Sequence, residues 1–252
     1  MVKDEPQVAS ARILGGVGAV AHDGSLIDVP SSTQRRLLGI LALEAPRSVR
    51  PERLASLLGV SSGAVRTTVA RLRSSVGSVT LRRTANGYSL TCDVDAGCFC
   101  NAVARASGST APSPVLQEAL MLWGGAPLEE FADEAWAHGE VLRLTELHDG
   151  AIDDFAELLV EARRSVDAVA LLQRQVDGRP LRDRSQGLLI RALAVGGRQS
   201  DALRSYQSYR LSLVDVGTRP SPGVIEIERR VAAGWDGVEG IASASAVTSK
   251  TV

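Results

Sequence analysis

Few residues in this chain could do covalent chemistry, and their spacing decides which chemistries stay open. Three thiols, Cys92, Cys98 and Cys100, fall within nine residues. An odd number so closely spaced is no disulfide framework. The C-x5-C-x-C spacing, with no histidine nearby, matches no zinc pattern. Cytosolic thiols used as small apolar side chains are the reading that remains. The three histidines, His22, His138 and His148, share no metal-ligand spacing, and neither G-x-S-x-G nor a P-loop occurs. Glu129-Glu130 and Asp153-Asp154 read as exposed helix residues or caps. Gly16-x-Gly18-x-x-Ala21 fits the dinucleotide fingerprint in letters only. That fingerprint needs a following helix to hold the pyrophosphate, and His22-Asp23-Gly24 supplies a turn instead. No nucleophile, acid or base is therefore placed beside partners, and no enzyme, metal or cofactor is expected.

Arginine is what recurs. Of 28 basic residues only Lys3 and Lys250 are lysine, and the guanidinium fork suits phosphate and carboxylate better than an ammonium does. The net charge of −1 hides an asymmetry. Residues 1–95 hold 12 Lys+Arg against 8 Asp+Glu, and residues 96–252 hold 16 against 21. A basic first part before an acidic second part suggests two modules, the first a candidate for a polyanion. Apolar residues at 44% supply a core and exclude wholesale disorder. Aromatics at 4% disfavour a large β protein. No apolar run approaches the ~20 residues of a bilayer span, and MVKDEPQ has no apolar signal region. A cytoplasmic chain with no membrane partner is expected.

The elements that would carry those arginines follow from turn and cap signals. Residues 12–29 alternate loosely around His22-Asp23-Gly24-Ser25, a hairpin signal. Pro30-Ser31-Ser32 offers a cap to a first helix, with Leu37, Leu38, Leu41 and Leu43 at helical spacing and Pro46 as its stop. A second helix starts at Pro51, a favoured first-turn position, and runs to Gly59. A third, about 62–76, is capped by Ser61 or Ser62 and stopped by Gly77. The wing, about 79–91, follows, with Asn86-Gly87 as its turn. Strands, three helices and a hairpin make a winged helix-turn-helix. At ~100° per residue, Val65, Val69, Leu72 and Val76 form the buried stripe of the third helix. Arg66, Thr67, Ala70, Arg71 and Ser74 face away from it. Small residues permit close approach and arginine can read guanine or clamp phosphate, so this face fits a major groove. The wing adds Arg82, Arg83 and Asn86. A plain solvated face is the alternative.

The second module reads as helix after helix. Asp95 caps a helix to Ala106, and Ser107–Pro114 has the turn chemistry of a flexible linker. Leu158 and Ala192, Ala168 and Ala202, Val169 and Leu203, and Leu172 and Tyr206 are each 34 apart. That is the tetratricopeptide length, in which each helix pair buries one face and neighbours must stack. An ordinary helical bundle is the alternative. Trp123 and Trp136 read as core or inter-domain packing, and Asp183 and Glu146 as solvated helix ends.

Several words raise a family. Leu14-Gly15, Gln34-Arg35-x-Leu37-Leu38, Val69-x-Arg71-Leu72-Arg73 and Gly87-Tyr88-x-Leu90 resemble the OmpR-type winged helix of the SARP-type antibiotic regulatory proteins. Leu122-Trp123-Gly124-Gly125-x-Pro127-Leu128, Trp136, Glu140-x-x-x-Leu144-x-Glu146-Leu147, Pro180-Leu181-Arg182-Asp183, Gly197-Arg198-x-x-x-Ala202-Leu203-x-x-Tyr206 and Gly217-x-x-Pro220-Ser221-Pro222 are similar to the bacterial transcriptional activator domain (BTAD). Together they cover about residues 12–233. The loop Leu58-Gly59-Val60-Ser61 departs from the family: it is shorter and has no tryptophan.

The expected fold is therefore mainly α. A winged-helix domain at 10–93 precedes an all-α tetratricopeptide-like domain at 94–233, with a flexible stretch at 107–114 and a disordered tail at 234–252. The resemblance implies a sequence-specific, double-stranded-DNA-binding transcriptional activator. Its third helix would read bases, with Arg71 and Arg73 as contacts and Arg35 on phosphate. The implied partners are RNA polymerase, through its sigma factor or alpha subunit, and a second copy on tandem promoter sites. Two other readings stand beside it: a protein-interaction adaptor whose winged helix no longer binds DNA, and a small-molecule sensor in the helical groove.

Overall fold

The computed structural model describes residues 8–77 and 80–235. The tail expected to be disordered lies, from residue 236 on, outside the described residues, as do residues 78 and 79 at the start of the wing. The chain divides into two compact units, one ending at His148 and the other starting at Asp149.

The first unit opens with strands β1 (Val8–Arg12), β2 (Gly18–Ala21) and β3 (Leu26–Ile27). They form a sheet in the order β3-β2-β1-β6, whose last strand is β6 (Asp93–Val94), parallel to β1. The hairpin expected over 12–29 exists only as β2–β3. At its turn Gly24 sits at φ +83° and the Ser25 N–H donates to Asp23 Oδ1 at 2.9 Å. Because Gly18–Ala21 is strand, no helix follows the glycines of the dinucleotide-like string. Ile13, Leu14 and Gly15, expected in the first strand, lie beyond its end. Their backbone groups are used elsewhere, as described below.

Helices α1 (Ser32–Glu44), α2 (Pro51–Leu58) and α3 (Ser62–Val76) follow where expected, although Ser31 at the start of α1 makes no side-chain capping bond. Pro51 opens α2 where its missing N–H is no loss, and Gly59 closes it in the left-handed region at φ +66°. Ser61 Oγ accepts from the Ala64 N–H to cap α3. Strands β4 (Leu81–Thr84) and β5 (Gly87–Leu90) make the wing, joined by Ala85-Asn86. Val49, between α1 and α2, pairs with Tyr88 through both backbone bonds, at 2.8 and 3.0 Å. The wing is thus held to the helices by a third, one-residue strand.

Asp95, expected to cap the helix, lies one residue inside it, with Val94 at the cap position. It is the first residue of α4 (Asp95–Ala106), and its carboxylate accepts from its neighbour Ala96 N–H at 2.7 Å. It also accepts from the N–H groups of Ile13 and Leu14, at 2.9–3.0 Å. Burial pushes its carboxyl above the usual carboxylate range, against the pull of those N–H groups and of Arg12.

The stretch 107–114, expected as a flexible linker, is a short turn. Gly108 and Ser109 N–H donate back to Arg105 and Ala106, and Pro112 begins α5 (Pro112–Met121), which packs on α4. The turn residues are there, but proline at a helix start ends the loop early. Beyond α5 the chain returns to the first strands. The Gly124 N–H donates to Leu14 O and the Leu128 N–H to Ile13 O, both at 2.8 Å. Leu128 and Trp136 lie over Gly39 of α1, where a β-carbon would meet them at 3.1 and 3.3 Å. Trp123 stacks on His148 with centroids 3.9 Å apart and tilts against buried Phe99 at 5.3 Å. Residues 94–148 therefore fold with the winged helix in one compact unit, across the 93/94 boundary drawn from sequence.

The second unit starts within α6 (His138–Glu161) and continues through α7 (Ser165–Gly178), α8 (Asp183–Val195), α9 (Gln199–Asp215) and α10 (Pro222–Ala232). The 34-residue period survives in its backbone. Arg163 and Gly197 are both left-handed, at φ +56° and +71°. Arg164 and Arg198 N–H then donate to Leu159 and Leu193 O, and their Nε atoms reach Asp167 and Asp201, each at 2.8 Å. Two expectations are corrected here. Asp153, read as exposed, has no exposed surface and accepts from Arg182 Nε at 2.9 Å and Ser185 Oγ at 2.6 Å. Asp183, read as a solvated end, accepts from Tyr209 OH at 2.7 Å, the Ser221 N–H at 3.1 Å and Ser221 Oγ. Both are carboxylates whose loss of water contact is offset by donors from elements later in the chain.

Candidate nucleic-acid interface

Helix α3 buries Val65, Val69, Leu72 and Val76, as its 3.6-residue period demands. Arg66, Thr67, Ala70, Arg71 and Ser74 are all exposed on the opposite side. Ser74 Oγ donates back to Ala70 O at 3.2 Å, and its hydroxyl stays close to the helix. The face is low except where Arg66 and Arg71 extend.

Arg73 differs. It is half-buried, and its Nε donates to Leu81 O at 2.9 Å. That bond ties the end of α3 to the first strand of the wing, so Arg73 acts first as a strut between the two elements. On the wing Arg82 and Arg83 are both exposed, because a two-stranded hairpin leaves both faces wet at its edge. Asn86 is exposed at the turn, its N–H donating to Thr84 Oγ1 at 3.2 Å.

Arg35 is taken by the protein itself. Its Nε donates to both carboxylate oxygens of Glu130, at 2.7 and 2.8 Å, and its Nη1 to the carbonyls of Val29 and Pro30. Glu130 raises its pKa above the ordinary guanidinium value. With Nε and Nη1 held by protein acceptors, only Nη2 of this guanidinium is left to meet a phosphate. Arg36 is likewise paired with Glu134 and lies over the Phe131 ring at 5.5 Å, while Glu134 also accepts from Trp136 Nε1. Residues 130–136 thus form an acidic and aromatic strap on α1. Sequence reading missed Glu130 and Glu134 because nothing local links them to arginines 95 and 98 positions earlier.

The local charge is larger than the half-chain balance implies. Residues 30–92 contain ten arginines, no lysine, no aspartate and only Glu44 and Glu52. Arg53 is held by Glu44 at 2.6 Å. Within residues 30–92, among the described residues, six exposed guanidinium groups have no ion pair or side-chain hydrogen bond: Arg47, Arg50, Arg66, Arg71, Arg82 and Arg83. Unpaired charge of one sign on neighbouring elements is the electrostatic footprint of a polyanion site. Sequence reading had not singled out Arg47 and Arg50.

Other chemistry finds less support. Among the described residues no cluster of three His, Cys, Asp or Glu side chains could hold a metal ion. The three cysteines are free thiols, and burial pushes the Cys92 and Cys98 thiols up, away from the reactive thiolate. No described helix is long and apolar enough to cross a membrane.

Known proteins share this architecture. Residues 94–232 match the family described as the bacterial transcriptional activator domain. The chain is 28% identical over 98% of its length to the regulatory protein AfsR of Streptomyces coelicolor, and 29% identical over 90% to that of Streptomyces griseus. It is 31% identical over 56% of its length to the transcriptional regulator RedD of Streptomyces coelicolor. It spans about a quarter of each AfsR, at 26% and 25%, and 43% of RedD. Among solved structures, Mycobacterium tuberculosis EmbR in complex with a low-affinity phosphopeptide matches 91% of this chain and 66% of its own, with a TM-score of 0.76 at 25% identity. With more than half of its residues matched by the family, the chain belongs to the bacterial transcriptional activator domain proteins, in the winged-helix-plus-helical arrangement of SARP-type regulators.

Proposed function

We propose that this chain is a sequence-specific, double-stranded-DNA-binding transcriptional activator. The relatives, named as regulatory proteins, support the regulatory part of that reading. The observation that carries the DNA part is the solvent face of α3, where Arg66 and Arg71 stand unpaired among the described residues and flank Thr67, Ala70 and Ser74. Short side chains let a helix backbone sit deep in a major groove, and arginine offers the bidentate contact to guanine. The wing arginines, Arg82 and Arg83, then add phosphate or minor-groove contacts that position the helix without specifying sequence. In this reading a second copy occupies a tandem promoter site, and the helical part contacts RNA polymerase through its sigma factor or alpha subunit.

The test is selection of duplexes from a randomised pool by the full chain, followed by sequencing. A defined motif is expected, bound with steep salt dependence. Arg71→Ala is expected to cost about 1–3 kcal/mol on that motif and to relax preference at one base position. Failure to retain any duplex at low salt overturns the proposal and leaves the adaptor reading.

A further inference from the structure

We infer that Arg47 and Arg50, in the segment between α1 and α2, clamp the DNA backbone beside the wing. This inference rests on the DNA-binding reading. Four observations carry it. Both side chains are exposed, and among the described residues neither has an ion pair or a side-chain hydrogen bond. They flank Val49, whose two backbone bonds to Tyr88 make the segment a third strand of the wing. Thr84 Oγ1 donates to Ser48 Oγ at 2.9 Å, a second stitch between them. The approach is so close that a β-carbon on Gly87 would lie 3.0 Å from the Arg50 Cα.

The segment pairs with β5 through Val49 and touches β4 through Ser48 and Thr84, so the Arg47/Arg50 pair and the Arg82/Arg83 pair extend one small sheet from different strands. Long arginine side chains on separate strands reach separate backbone positions. The nearest competing carboxylate on the flanking helix is Glu52, in the first turn of α2, because Glu44 is already held by Arg53. Two guanidinium groups against one carboxylate leave this edge positive. A backbone contact carries no sequence information, so Arg47 and Arg50 set affinity and register while α3 reads bases.

The experiment measures affinity of the full chain for a mixed-sequence duplex by fluorescence anisotropy, across salt from 50 to 200 mM. Each phosphate contact contributes about 0.9 to the slope of log affinity against log salt. The Arg47→Ala/Arg50→Ala variant is expected to show a slope shallower by about 2 than the unsubstituted chain. The fall in its affinity over that range is then roughly 12-fold smaller. The Arg47→Lys/Arg50→Lys variant keeps the charge and is expected to restore the slope. Both variants are expected to select the same motif from a random pool. An unchanged slope in the alanine variant, or an altered motif, overturns the inference and leaves the proposed function standing. No binding by the unsubstituted chain removes the proposed function itself, and this inference with it.

Discussion

Gly87→Ala is expected to destabilise the winged helix by on the order of 3–6 kcal/mol, a large share of a small domain's ~5–15 kcal/mol. A β-carbon at this position would lie 2.0 Å from the carbonyl oxygen of Val49 and 2.6 Å from its carbon. Those are backbone atoms, so no side-chain rotation relieves the overlap. The residue also sits at φ +133°, where an L side chain is strained. The strands must separate, and both Val49–Tyr88 bonds go with them. The magnitude combines overpacking, backbone strain and two lost hydrogen bonds. Thermal denaturation checks it, with Asn86→Ala as the neighbour whose exposed side chain should matter little. A melting temperature for Gly87→Ala within a degree or two of the parent contradicts this account.

Asp95→Ala is the second large effect, expected at roughly 3 kcal/mol or more. It removes the acceptor for three N–H groups, those of Ile13, Leu14 and Ala96, and an orphaned buried donor costs about 1–3 kcal/mol. Asp95→Asn keeps one acceptor oxygen and should lose less. The two variants also separate charge from geometry. Burial raises the folded carboxyl above its unfolded value. Between the two values the folded state holds the proton and the unfolded state has released it. Stability contributed by this group therefore falls as pH rises through that interval and is level above it. Denaturant melts of the parent and of Asp95→Asn, taken as a difference across acidic pH, should show that falling limb. A difference that instead grows with pH would mean the N–H groups outweigh burial.

Local features of the winged helix were legible in sequence because they are punctuated locally. Pro51, Gly59, Ser61 and Gly77 mark α2 and α3 at their ends, and the 3.6-residue period assigns the buried and exposed sides of α3. Asn86-Gly87 marks the wing turn for the same reason. The turn at Arg163 and its repeat at Gly197 follow from a period that a string of letters shows directly. What escaped is what depends on distant partners. β1 pairs with β6 some 80 residues away, so neither its position nor the end of the strand before Leu14 could be read. Arg35 and Arg73 look free in sequence, yet one is held by Glu130 and the other by the Leu81 carbonyl. Asp153 sits in a run that looks solvated until Arg182 and Ser185 arrive from the next helix pair. Side chains with more than one possible owner are settled by tertiary contacts.

The strap on α1 bears on how this protein can be dissected. A fragment cut at residue 93, where the family match begins, would lack Asp95 and so leave the Ile13 and Leu14 amides without an acceptor. It would also bare Gly39 where Leu128 and Trp136 rest, and strip Glu130 and Glu134 from two guanidinium groups. Such a piece would carry extra positive charge on α1 and melt earlier than its parent. The place where two evolutionary modules meet is, in this molecule, the wrong place for scissors.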